Sequence, residues 1–124
     1  MTTIYWKNIT GYGTSPHKAS ENNVGFDLSS AEYIVVDKKK RKLVSTGISL
    51  DIPKGYFARI CPRIGLMMRG IDVGLEVIES DFRSEIKILI MNNSAEDFII
   101  HFGDRVAKIL LQKYTPVLVK EKED

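Results

Sequence analysis

The chain has 124 residues, of which 44% are hydrophobic, 27% are charged and 9% are aromatic. This composition indicates one domain over residues 1–124 with a single core, and it excludes a disordered chain. The 18 basic and 16 acidic residues leave a net charge of +2, which is too small to indicate a nucleic-acid-binding protein.

Short, often alternating apolar segments, separated by Gly, Pro, Asn and Asp, predict an all-β fold. Residues 1–23 are predicted to be mobile, because residues 10–23 are rich in Gly, Ser, Thr and Asn. The predicted strands follow at residues 33–36, 42–52, 56–61, 85–91, 98–101 and 106–113. Residues 64–69 are predicted to form a single helical turn after Pro62. Residues 117–124, which end in five charged residues, are also predicted to be mobile.

Several common chemistries have no support in the sequence. His17 and His101 lack Cys or acidic neighbours at the spacing of metal ligands, and no P-loop motif is present. The basic run at 38–42 lies between two predicted strands and is interpreted as a solvated turn. Cys61 is interpreted as a core residue, and a single cysteine cannot form an intramolecular disulfide. We therefore expect an intracellular protein, and no apolar run is long enough for a membrane span.

Four short segments place a glycine and a charged residue beside an apolar strand. They are VGFDL at 24–28, PRIGL at 62–66, GLEVIESDF at 74–82 and GDRVAK at 103–108. Glycine allows a ligand to approach the backbone, and a neighbouring charge can hold a phosphate or the water shell of a metal ion. Each segment taken alone is more typical of an ordinary turn or a surface ion pair.

The four segments together, in this order and spacing, resemble the trimeric dUTPase family from about residue 24 to residue 116. The resemblance implies a β jelly roll of the β-clip type, a homotrimer with sites at subunit boundaries, and hydrolysis of dUTP to dUMP and pyrophosphate with Mg²⁺. Glu79 matches the family aspartate that orients the attacking water, and Asp27 would meet Mg²⁺ through a water molecule. The nucleotide-binding positions implied by the match are Arg63, Ile64, Gly65, Glu76, Val77, Phe82 and Lys108.

Several of these positions depart from the family pattern. Ile64 replaces a serine that donates to the phosphates, and the loss of such a bond costs about 1.5–3 kcal/mol. Glu76 replaces a glycine beside the backbone that reads uracil, which adds bulk and negative charge. Phe82 replaces a tyrosine but keeps its stacking surface, and Lys108 replaces a glutamine. The Gly-rich segment with which family members end is expected to be missing, together with the closure that it provides.

These departures lead to the expectation of a dUTPase-derived protein with weak or no diphosphatase activity that serves as a binding or regulatory module. The alternative is an active dUTPase in which Glu79 is the base and Arg63 and Lys108 assist. A relative of the dCTP deaminases, which share the fold, is a third and weaker hypothesis. The expected partners are two further copies of the chain, dUTP or dUMP if the site is open, and an unidentified protein, with neither a membrane nor a nucleic acid among them. Small divergent relatives of this family are often viral.

Overall fold

The computed structural model describes residues 2–74 and 76–124. Eleven strands and one short helix occur in these residues. They are β1 (Tyr5–Asn8), β2 (Phe26–Ser29), β3 (Ile34–Val36), β4 (Arg41–Ser45), β5 (Ile48–Asp51), β6 (Tyr56–Cys61), α1 (Ile64–Met67), β7 (Ile71–Val73), β8 (Glu76–Ile78), β9 (Lys87–Asn92), β10 (Phe98–Ile100) and β11 (Arg105–Lys113). The prediction of an all-β fold with one helical turn after Pro62 is confirmed.

All the strand pairs are antiparallel. A four-stranded sheet has the order β2-β11-β6-β8, and a three-stranded sheet has the order β4-β9-β7. Two further pairs, β1 with β5 and β10 with β3, complete the strand pairing. The long strand β11 lies between β2 and β6, where Lys108 is in register with Asp27 on one side and with Cys61 on the other. Three of the four glycine-and-charge segments therefore meet at this place in the sheet.

A single cluster of buried aliphatic side chains lies between the sheets. Strand β9 shows how the sequence pattern produces it, because Ile88 and Ile90 on one face are fully buried. Leu89 and Met91 on the other face are only half-buried, so the chain covers that face in part. None of the helices in the described ranges is long and apolar enough to cross a membrane.

Two turns contain a residue with positive φ. In the turn at 53–56 the Tyr56 N–H donates to the Pro53 carbonyl oxygen at 3.1 Å, and Gly55 has a φ of +89°. The basic run at 38–42 also includes a turn, in which Lys39 has a φ of +61° and the Lys40 N–H donates to Asp37. The charged side chains of this run are exposed, as expected for a solvated turn.

Candidate functional site

A groove lies at the place where β2, β11 and the end of β6 meet. Its lining residues, which we call the basic groove, are Asp27, Pro62, Arg63, Ile64, Gly65, Leu66, Arg69 and Lys108. The groove has a volume of about 690 Å³, which is within the range of small-molecule sites. Its ionic side chains are three cations and one carboxylate, so it is suited to an anion. The predicted residues Asp27, Arg63, Ile64, Gly65 and Lys108 are brought together here.

The close contact of β2 with β11 depends on Gly25. This residue has a φ of +82°, in the region that favours glycine. A Cβ at this position would overlap the Ile109 carbonyl oxygen and lie 2.7 Å from Leu110 Cδ2. The strand after it therefore runs directly along β11 and holds Asp27 opposite Lys108.

An ion pair orients the arginine of the groove. Arg63 Nε lies 3.6 Å from Asp27 Oδ1, and Arg63 Nη1 donates to the Arg105 carbonyl oxygen at 3.4 Å. The Arg63 side chain is about one-third exposed, so the ion pair contributes little to stability. Its main effect is to keep the guanidinium beside the groove, where planar N–H groups can contact phosphate oxygens.

The residues after Arg63 begin α1. Ile64 is 72% exposed, and no atom lies within 4 Å of a Cβ built on Gly65. Ile64 lines the groove with a largely exposed side chain, and the expectation that it adds bulk beside a bound phosphate stays a prediction. The backbone at Gly65 is free of steric obstruction, as a site for a bound phosphate chain requires.

A second cavity of about 530 Å³ lies beside β8 and the turn that follows it. Its lining residues, which we call the hairpin cavity, are Tyr56, Phe57, Arg59, Val77, Glu79, Ser80, Asp81 and Tyr114. Strand β8 forms one edge of the four-stranded sheet. Alternate residues of an edge strand leave backbone N–H and C=O groups unpaired, and these groups can hydrogen-bond a flat polar ligand such as a nucleobase.

The predicted residues near Glu79 differ in their placement. Glu79 is exposed, and its carbonyl oxygen accepts a bond from the Phe82 N–H at 3.1 Å, which closes a turn. Phe82 is half-buried and packs against the hydrophobic core. Val77 is 52% exposed and lines the hairpin cavity, whereas Glu76 is exposed and is not one of its lining residues. The carboxylate of Glu76 therefore does not block this cavity.

The two cavities share no lining residue. Glu79 lies in the hairpin cavity, and Arg63 and Lys108 lie in the basic groove. A single copy of the chain thus separates the candidate base from the candidate phosphate-binding residues. This separation is the arrangement expected if a site is completed at a boundary between subunits.

The basic groove offers a metal ion only one carboxylate. Within residues 2–74 and 76–124 no group of three or more His, Cys, Asp or Glu is arranged to hold a metal ion. Asp27 is the one carboxylate among the lining residues of the basic groove, and it already faces Arg63. Because Mg²⁺ often keeps its waters and binds substrate phosphates with one or two carboxylates, Asp27 fits the prediction of a contact through water.

Sequence reasoning missed some residues of both cavities. Arg69 lines the basic groove, and the only signal for it was its position at the end of the predicted helical turn. Arg59 and Tyr114 line the hairpin cavity, although both were assigned only to strands or their ends. Their position beside the cavity depends on the register of β6 and β11, which could not be read from the sequence.

The model of the dUTPase family matches residues 11–124, and the chain belongs to this family. A deoxyuridine 5'-triphosphate nucleotidohydrolase of Paramecium bursaria Chlorella virus 1 is 42% identical over 128 residues, which cover 100% of this chain and 91% of that protein. Relatives of the same name occur in camelpox virus, at 39% identity over 88% of this chain and 75% of theirs, and in tomato, at 37% over 95% and 70%.

Solved structures of phage dUTPases show the same fold. A dUTPase of Staphylococcus bacteriophage 80alpha with dUpNHpp has a TM-score of 0.90 and 18% identity, and the alignment covers 100% of this chain and 90% of that one. A mutant dUTPase from phage phi11 of S. aureus, described with a structural Mg(II) ion, has a TM-score of 0.89 and 19% identity, over 98% of both chains. These likenesses support the fold that the sequence predicts.

The expectation of a binding or regulatory module with weak or no diphosphatase activity is wrong. Relatives at 34–42% identity over most of the chain, in viruses, plants and fission yeast, carry the name of the enzyme. The physical reason is that two of the departures were given too much weight. Ile64 is at the surface of an open groove, and Glu76 lies outside the cavity that contains Glu79.

Proposed function

We propose that the chain is an active dUTPase that hydrolyses dUTP to dUMP and pyrophosphate. The observation that carries this proposal is the basic groove, in which segments distant in sequence place Arg63, Gly65, Lys108 and Asp27 around a single space. Such a groove suits a chain of phosphates, because two cations and an unobstructed glycine backbone face the same ligand. The names of the relatives support the choice of nucleotide.

In this proposal the edge of β8 binds the base. β8 pairs only with β6 in the described part of the chain, so its outer edge can offer backbone groups to uracil, and Val77 is the residue that we assign to this contact. Phe82 supplies an aromatic surface for the deoxyribose, although it is half-buried in the isolated chain. Arg63 and Lys108 bind the phosphates.

Glu79 acts as the general base. Its carboxylate accepts a proton from a water molecule, whose oxygen forms a bond to phosphorus as the bond between the α- and β-phosphates breaks. The products are dUMP and pyrophosphate, and the extra methylene of Glu79 relative to aspartate extends the reach of its carboxylate. Asp27 would hold Mg²⁺ through a water molecule when the nucleotide is bound, and the ion would supply positive charge that offsets part of the phosphate charge.

The same proposal includes a homotrimer. Glu79 and Arg63 line different cavities of a single chain, so a complete site requires a hairpin cavity from one copy and a basic groove from another. Three consecutive apolar side chains near the end, Val117, Leu118 and Val119, are 76%, 86% and 94% exposed. Such a run is suited to burial against a neighbouring copy. A further protein partner and an intracellular location stay predictions.

The test is release of pyrophosphate from dUTP by the purified chain with Mg²⁺, beside dTTP, dCTP and UTP. We expect turnover of dUTP and formation of equal amounts of dUMP and pyrophosphate. Sedimentation should give about three chain masses under the same conditions. No release of pyrophosphate from a folded trimer would refute the proposed activity, and a monomer that hydrolyses dUTP would refute the shared site.

A further inference from the structure

Arg69 lies at a fixed position beside the basic groove. Its N–H donates to the Leu66 carbonyl oxygen at 2.9 Å, at the end of α1. The next residue, Gly70, has a φ of +87°, and its carbonyl oxygen accepts a bond from the Asn93 N–H at 2.8 Å. The backbone at Arg69 is therefore held between the short helix and the turn that follows β9.

The side chain of Arg69 is also restrained. Its Cζ lies 5.4 Å from the centre of the Phe98 ring, and Phe98 packs against the core. A guanidinium over an aromatic ring can still donate from its edge. Because Arg69 lines the basic groove, these N–H groups are available to an anion there.

Arg69 is not paired with an acidic side chain. Among the described residues, ion pairs within 4.0 Å join Arg63 to Asp27 and Arg83 to Asp51 only. Asp97 and Asp104 line an adjoining cavity together with Arg69. They instead accept bonds from backbone N–H groups, each at 2.8 Å.

The charge of the groove is greater than one phosphate group needs. Asp27 offsets Arg63, while Lys108 and Arg69 have no carboxylate within 4.0 Å in the described part of the chain. Two cations are therefore free to bind a ligand. An extended ligand with several negative charges can use both, whereas a single phosphate near Arg63 and Lys108 leaves Arg69 without a partner.

We infer that Arg69 is a specificity-determining residue that contacts the end of the phosphate chain and selects a triphosphate over shorter nucleotides. This inference rests on the proposed function, because it assigns the basic groove to the phosphates of dUTP. Arg69 is not needed for the chemical step, since neither the base nor the attacked bond is assigned to it. Its loss should therefore weaken binding of the triphosphate more than binding of the monophosphate.

The test compares Arg69→Gln, Arg69→Lys and wild type, with Arg41→Gln as a matched control. Arg41 is an exposed arginine on β4 and does not line the basic groove. Calorimetry gives the Kd of a non-hydrolysable dUTP analogue, dUDP and dUMP. In Arg69→Gln we expect Kd of the analogue to rise about tenfold and Kd of dUMP to change by less than about twofold. Arg69→Lys should show a smaller loss, because it keeps the charge but not the planar donors.

Circular dichroism and sedimentation check that each variant is folded and assembled as the wild type is. If Arg69→Gln weakens all three nucleotides equally, or none of them, the inference is overturned. If the wild type hydrolyses dUTP, but Arg69→Gln weakens all three nucleotides equally or none of them, only the role of Arg69 is refuted and the proposed function stands. If wild type binds none of the three nucleotides, the proposed function and the role of Arg69 are both overturned.

Discussion

Replacement of Gly25 by alanine should destabilise the fold and disturb the basic groove. Gly25 has a φ of +82°, and this conformation costs a residue with a side chain about 1–2 kcal/mol. The new Cβ would also overlap the Ile109 carbonyl oxygen, so β2 must move away from β11. Such overpacking costs a further ~1–3 kcal/mol, while the lower entropy of the unfolded chain returns about 0.4–1 kcal/mol. We expect Gly25→Ala to lower the free energy of unfolding by about 2–4 kcal/mol in total.

Gly55→Ala is the matched control. Gly55 has a similar φ of +89°, but nothing lies within 4 Å of a Cβ built there. Gly55→Ala should lower the free energy of unfolding by only about 1 kcal/mol, because only the unfavourable backbone conformation contributes. Thermal unfolding at one fixed protein concentration measures the difference, because assembly makes Tm depend on concentration. For a chain of this size Gly25→Ala should lower Tm by about 8–15 °C and Gly55→Ala by about 3–5 °C.

The same pair of variants tests the link between this glycine and the groove. Well below both melting temperatures, Gly25→Ala should reduce kcat/KM for dUTP, because β2 carries Asp27 to its place beside Arg63. Gly55→Ala should keep the activity of the wild type. Equal Tm shifts for the two variants, or an active Gly25→Ala, would refute the reasoning.

Three further predictions concern single residues. Glu79→Gln should lower kcat for dUTP by about 10²–10⁴-fold with little change in KM, and Glu79→Asp should keep most activity; an unchanged kcat in Glu79→Gln would exclude Glu79 as the base. Ile64→Ser should raise kcat/KM by about tenfold in steady-state assays, because a donor returns to the groove, and a decrease would contradict this. Asn92→Ala should lower the free energy of unfolding, measured in urea, by about 2–4 kcal/mol, because the backbone carbonyls of Val36 and Glu96 lose the buried side-chain amide of Asn92 as their donor. The control Asn93→Ala, at an exposed position, should change this free energy by less than about 0.5 kcal/mol. Similar values for the two variants would show that the buried bonds of Asn92 do not stabilise the fold.

The strands that the sequence predicts well have an apolar pattern that is either long, as in β6 and β11, or short and free of charged residues, as in β3 and β10. β6 and β11 match their predicted segments within one residue. β2, β7 and β8 are missing from the predicted strands because they have only three or four residues and include a charge. β1 is also missing, because all four of its side chains are exposed and its place comes from pairing with β5.

One predicted strand, at 42–52, is divided into β4 and β5. Gly47 has a φ of +71°, and its N–H donates to Glu85 Oε2 at 2.9 Å. The Thr46 hydroxyl donates to the Ile86 carbonyl oxygen. These partners lie about 40 residues away in the sequence, so a local pattern does not reveal the break.

In the basic groove, too, residues marked by a local sequence motif could be predicted, and a residue placed by a distant contact could not. Its motif residues could be grouped because each segment has a glycine and a charge beside a strand. Arg69 was missed because its position depends on stacking against Phe98 in β10, which lies 29 residues further along the chain. The expected loss of activity was wrong because the sequence does not show which side chains project into a cavity and which stay at the surface.

The most direct test of an active site shared between subunits is complementation. Arg63→Gln and Glu79→Gln should each be nearly inactive alone. When they are unfolded together in equal amounts and refolded as mixed trimers, half of the hairpin cavities and half of the basic grooves remain intact. We predict recovery of about a quarter of the wild-type rate of pyrophosphate release from dUTP, since each site needs one intact partner of each kind. Mixed trimers that are no more active than the two parent variants would contradict the account.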